Sequence, residues 1–105
     1  MKLIVAIVDN QDTDKVTSAL TDQRIGVTRV SSTGGLIGPG NSTLLIGVDE
    51  SRLDQAMKIV GENAAVRTSF APYAQAGIMP GASYIEVEVG GFITFVLNID
   101  HFEQV

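Results

Sequence analysis

Asn41 is the side chain with the most to offer a ligand, because its amide donates and accepts at once, as reading a nucleobase edge requires. It follows a loop with four glycines and a proline within seven residues, Gly34, Gly35, Gly38, Pro39 and Gly40. Glycine opens backbone angles closed to other residues and lets a ligand come close to the main chain. The same composition also serves a plain, solvent-exposed hairpin connection, so both uses stay open. Two specific uses are excluded. No Gly-Lys-Ser/Thr follows the loop, so it is not a triphosphate-binding loop. A β-capable segment rather than a helix comes next, so it is not a dinucleotide fingerprint either.

The other chemistry-bearing residues form no catalytic set. His101 is the single histidine, beside Asp100 and Glu103, and reads as a surface residue more readily than as a metal ligand. Glu86 and Glu88 share one strand face, a spacing that fits paired carboxylates and equally the solvated side of an edge strand. Ser31, Ser32 and Thr33 have no histidine or lysine nearby to activate them. No nucleophile, base and orienting group can be assembled, so the expectation is a binding module, not an enzyme, with no catalytic residue, metal or cofactor.

Composition narrows the partners. With 105 residues the chain is long enough for one domain, spanning 1–105, and too short for two. A net charge of −5 argues against a broad phosphate-gripping surface, and so against nucleic acid. There is no cysteine, which removes disulfides, thiolate catalysis and thiolate zinc sites. The opening run MKLIVAIV is too short to cross a membrane and precedes no small-residue cleavage pattern, so the expected location is cytoplasmic, without membrane insertion.

The elements that must position these residues follow from periodicity. Lys2–Val8 is a β-branched apolar run that reads as a strand buried on both faces. Val16, Ala19 and Leu20 mark one face of a helix that Asp12 or Thr13 can cap. Ile25 to Ser32 and Thr43–Val48 flank the glycine loop as strands. Leu53, Ala56, Met57 and Val60 give a second helix, with Ser51 to Asp54 as a capping box and Gly61 as its stop. Residues 62–82 show no sustained period and are expected to be a long mobile loop. Tyr84–Val89 alternates cleanly, Gly90-Gly91 is expected to turn a hairpin into Phe92–Ile99, and the tail can dock Phe102.

The order predicts an α+β fold, a ferredoxin-like βαββαβ domain with an additional C-terminal strand and both helices on one face of an antiparallel sheet. That arrangement leaves a surplus. The first strand sends Leu3, Val5 and Ile7 to one side and Ile4, Ala6 and Val8 to the other, while the third sends Leu45 opposite to Leu44 and Ile46. Two helices cover one face only, so a neighbouring subunit is needed for the second. The sequence predicts an oligomer.

Three separated segments share a further pattern. MKLIVAIV leading to Asp9–Asp12, the run Ser32-Thr33-Gly34-Gly35 through Gly40-Asn41-Ser42-Thr43, and Val87–Gly91 with Phe95–Leu97 resemble the PII-like cyclic-di-AMP receptor proteins, collinearly over most of the chain. The resemblance implies a bacterial, PII-like signal-transduction homotrimer. It would bind cyclic di-AMP in clefts between subunits, with mobile loops relaying occupancy to an unknown protein effector. Carried over by position, Thr28, Gly35, Leu36, Ile37, Asn41 and Gly47 would line the pocket, with Gly90 and Gly91 from a neighbouring subunit. The glycine amides there can meet phosphate without a cation. The chain departs from the family at three places. Gly26 stands where the family has a pocket arginine, with Arg24 and Arg29 nearby as replacements. Leu36 replaces an aromatic able to stack on a base. The long loop ends Gly81-Ala82-Ser83-Tyr84-Ile85 instead of in the family's Asp-Ser-Tyr-x-Pro. Two alternatives stand beside this reading: a PII-like trimer for another adenine nucleotide (ATP, ADP or AMP), and a ligand-free trimer that docks a protein partner.

Overall fold

The computed structural model describes residues 1–30, 40–72 and 84–105. Six strands and two helices run in the order β1 (Lys2–Asp9), α1 (Thr13–Asp22), β2 (Val27–Val30), β3 (Asn41–Val48), α2 (Leu53–Ala64), β4 (Arg67–Pro72), β5 (Tyr84–Val89) and β6 (Phe92–Asn98). Strands β2, β3, β1 and β6 pair in that order in one antiparallel sheet, and β4 and β5 form a separate two-stranded ribbon. The fold is the expected α+β, ferredoxin-like one, and it is the C-terminal strand, β6, that completes the four-stranded sheet beside β1.

Alternation fixes which side of the sheet the helices take. Ile4, Ala6 and Val8 of β1 and Leu44, Ile46 and Val48 of β3 share one face, and all are buried. Against them pack Val16 and Leu20 from α1 and Ala56, Val60 and Ala64 from α2, residues four apart that a helix presents along one stripe. On the opposite face the pairs Leu3–Leu97, Val5–Phe95 and Ile7–Ile93 line up across β1 and β6, with Leu45 beside Val5 on β3. Ile93, Phe95 and Leu97 are exposed, so the predicted second apolar face is present and uncovered in a single chain.

Several local expectations are corrected. Residues 62–82 are not one loop: α2 continues to Ala64, and Arg67–Pro72 is β4. The β4 sequence has no alternation of its own and gains its ladder from β5, whose period is strong. The remainder of that expectation, 73–82, lies outside the described residues. Gly61 does not stop α2, because Ala64 reaches the core one turn later. Gly90-Gly91 does not turn a hairpin. Strand β5 pairs back onto β4 while β6 pairs with β1, so the two glycines switch the chain between sheets. Neither helix has a side-chain cap. A 3-10 turn at Glu50–Arg52 leads into α2 instead of the capping box, and Asp12 stands at the head of α1 with its carboxylate committed elsewhere. Phe102 is 62% exposed and does not dock within the chain.

Candidate ligand-binding site

The turn between β1 and α1 is the anchor for both loop systems. The Asn10 amide donates to the Gly40 carbonyl at 2.8 Å, and the Ser42 hydroxyl donates to the Asn10 side-chain oxygen. Those bonds hold the exit of the glycine loop, where Asn41 pairs with Asp9 at the first rung of β3. Asn41 itself is exposed, its amide free of any hydrogen bond to the described residues. Asp9 caps its own turn, taking the Gln11 amide at 2.9 Å.

Two residues further on, Asp12 is 1% exposed and meets Arg67 in a two-pronged pair, 2.7 Å and 3.1 Å. Such fork-to-carboxylate geometry is the strong form of a charged hydrogen bond. It is the first cause of the raised pKa of the Arg67 guanidinium. Arg67 opens β4, so the pair ties the ribbon to the turn that also holds the glycine loop. The same end of the ribbon, where Arg67 pairs with Val89, is also fixed by backbone. The Gly91 amide donates to the Ala64 carbonyl at 2.7 Å, and a Cβ on Gly90 would stand 2.6 Å from the Ala65 carbonyl oxygen. With φ of +86° and +92°, Gly90 and Gly91 occupy the region that favours glycine.

Register places the remaining candidates. Thr28 pairs with Leu45 and Gly47 pairs with Leu3, so both lie on the open face, toward the β2 side of the sheet. Arg29 pairs with Leu44 and therefore lies on the helix side, away from them. Gly35, Leu36 and Ile37 fall outside the described residues. Gly90 and Gly91 lead into β6, at the far edge: three strand spacings from β2, roughly 14 Å. The structure thus groups Thr28 with Gly47 and separates both from Gly90 and Gly91 within one chain.

Near Gly47 a cavity of about 170 Å³ opens, lined by Met1, Arg24, Ile25, Gly26, Gly47, Val48, Asp49 and Arg52. A Cβ on Gly26 would meet nothing within 4 Å, and one on Gly47 only the end of Met1 at 3.9 Å. Sequence reasoning named Gly47 and noted Arg24 and Gly26, but missed Met1, Asp49 and Arg52, which only the return of β3 and α2 to the end of α1 brings there. It also missed the Asp12–Arg67 pair, whose members are far apart in sequence and carry no local pattern. His101 touches only Glu103, at 3.4 Å on the surface, and Glu86 and Glu88 are exposed on β5. Among the described residues no group of three or more His, Cys, Asp or Glu side chains could hold a metal ion.

Comparison with known proteins bears on the fold and the family. A protein of unknown function from Pediococcus pentosaceus ATCC 25745 has a crystal structure similar to this chain at a TM-score of 0.82 and 32% identity. The similarity covers 99% of this chain and 96% of that one. The family model described as a cyclic-di-AMP receptor matches residues 1–105, and that family is PII-like. The chain therefore belongs to the PII-like cyclic-di-AMP receptor family.

Proposed function

We propose that the chain is a signal-transduction protein that binds cyclic di-AMP at clefts between the subunits of a homotrimer and passes occupancy to a protein effector through its loops. The observation that carries this reading is the separation of Thr28 and Gly47 from Gly90 and Gly91 across the sheet. A head-to-tail ring sets one edge of each subunit against the opposite edge of the next, and closes after three copies if the rotation allows. It brings the two halves of the candidate site together while covering Leu97, Phe95 and Ile93. At about 170 Å³ the single-chain cavity is below the ~300–1,000 Å³ of sites that enclose a drug-sized ligand, as half a site should be.

The ligand chemistry also fits. Asn41, whose side chain has no partner among the described residues, can read an adenine edge, Thr28 offers a hydroxyl, and glycine amides suit phosphate on a chain of net charge −5. Relay has a physical route. A ligand that orders Asn41 acts on the β1–α1 turn through Gly40 and Asn10, and Asp12 of that turn holds Arg67 at the base of the ribbon.

A thermal-shift panel of cyclic di-AMP, ATP, ADP and AMP tests the proposal. A ligand at 100 times its dissociation constant adds about 2.7 kcal/mol of stability. A shift with cyclic di-AMP alone is the expected result. A shift with a mononucleotide alone makes the protein a receptor for that nucleotide, and no shift with any of them leaves the partner-docking trimer.

A further inference from the structure

Of the seven Lys and Arg residues, all described, four are engaged: Lys2 with Asn98 and Glu50, Lys58 with Glu62, Arg67 with Asp12, and Arg52 with the Gln23 carbonyl. Lys15, Arg24 and Arg29 make no hydrogen bond or ion pair among the described residues. Of these three only Arg24 lines the cavity beside Gly47. The lining holds two arginines against one carboxylate, Asp49, so it is locally cationic on an acidic chain.

The backbone of Arg24 is unusual. After α1 the Ile25 amide bonds back to the Leu20 carbonyl and the Arg24 amide to that of Thr21, the pattern that closes a helix on a left-handed residue. That residue is normally glycine, yet here it is Arg24, with φ of 58°, the one non-glycine described at positive φ. Gly26 stands only two residues away, so glycine is available to this turn and is absent from the position that strains any other residue. The turn is braced from outside. Arg52 donates to the Gln23 carbonyl at 2.7 Å and to the Gln55 side chain at 3.1 Å, and Gln55 in turn donates to the Gln23 side chain at 3.3 Å. Arg24 is thus a strained residue held by its surroundings, with a cationic side chain that has no partner among the described residues, at a cavity whose glycines leave the wall open.

We infer that Arg24 is the phosphate-contacting cation of this site, presented on the braced end of α1 to an anionic oxygen of the bound nucleotide. The inference rests on the nucleotide reading above and adds the residue that neutralises the ligand's charge. Arg29, on the helix side of β2, has no such part, and Arg52 is a positioning residue acting through Gln23.

Titration calorimetry with cyclic di-AMP on the full chain tests this with three variants. Arg24→Gly removes the cation and relieves the strain, Arg24→Ala removes the cation and keeps the strain, and Arg29→Ala removes a cation off the cavity. Both Arg24 variants should bind about ten- to a hundredfold more weakly, the usual weight of a charge-assisted hydrogen bond. Arg29→Ala should bind as wild type does. Arg24→Gly should also melt above wild type, which shows that its weaker binding is not a failure to fold. Arg24→Gly binding within twofold of wild type overturns the inference and leaves the nucleotide reading intact. Weakening confined to Arg24→Gly overturns it too, because backbone geometry and not charge would then be at issue. A wild-type chain that binds none of the adenine nucleotides overturns both.

Discussion

Phe95 lies halfway along the edge strand β6 on the uncovered sheet face, paired with Val5 and therefore two strands from Leu45. It is 54% exposed. A phenylalanine buries about 150–250 Å² when fully covered, so roughly 80–135 Å² remain for a neighbour to cover. At about 25 cal/mol per Å² that area is worth some 2–3 kcal/mol in each subunit, or about 6–10 kcal/mol over three. Phe95→Glu removes this contribution and asks for a carboxylate in a dry interface, which costs several kcal/mol more per copy. Since each 1.4 kcal/mol is a factor of ten, assembly should weaken by at least about four orders of magnitude.

Sedimentation velocity reads the outcome directly. Wild type is expected to run as a trimer at micromolar concentration and Phe95→Glu as a monomer with unchanged far-ultraviolet dichroism, because Phe95 is on the face away from the helices. A trimeric Phe95→Glu variant would refute the assignment of this face to the interface. A monomeric wild type would refute the trimer itself, and the exposed row Ile93, Phe95 and Leu97 would need another cover.

Three substitutions probe the ligand site. Asn41→Ala should weaken cyclic di-AMP binding by a factor of roughly 5 to 150, for about 1–3 kcal/mol of lost base-edge contacts, with little change in melting temperature. Lower stability with unchanged affinity in calorimetry would make Asn41 a loop-closing residue instead. Gly90→Ala should destabilise the free protein by about 1–3 kcal/mol, since its Cβ would strike the Ala65 carbonyl at positive φ, and a denaturant melt checks this. Gly47→Ala should leave the melt within about 0.5 kcal/mol of wild type and still reduce nucleotide binding, and unchanged affinity would take Gly47 out of the site.

Much of the frame could be read in advance because burial imposes a period. Ile4, Ala6 and Val8 against Leu3, Val5 and Ile7 already describe a strand with apolar residues on both sides, and the structure has that uncovered face. The ribbon escaped because Arg67–Pro72 has no alternation and contains a proline. It is a strand only through its pairing with β5, a contact that local pattern does not encode. Gly90-Gly91 misled for a related reason. Two glycines between alternating runs satisfy the local rule for a hairpin, and nothing nearby says that β6 finds a better partner in β1. The Asp12–Arg67 pair and the left-handed Arg24 are likewise set by how distant elements meet, so the ion pair read as a helix cap and the strain as nothing at all.

The glycines separate into two physical kinds, and the distinction bears on which of them a ligand selects. Gly90 is explained without any ligand: its backbone angle and the Ala65 carbonyl exclude a side chain whether or not nucleotide ever binds. Its presence is therefore weak support for a binding role, although such a role is compatible with it. Gly47 is different. It sits inside a strand, where glycine forfeits packing and adds flexibility to the unfolded chain. Its φ is not positive, and a Cβ there would meet only the flexible end of Met1. Gly26, across the same cavity, has still more room. Among the described residues no contact or backbone angle asks for glycine at either position, which leaves room there for a group that approaches from outside. The cavity wall they form lies beside Arg24, whose guanidinium has no partner among the described residues, so Gly47→Ala and Arg24→Ala together test the proposed nucleotide site.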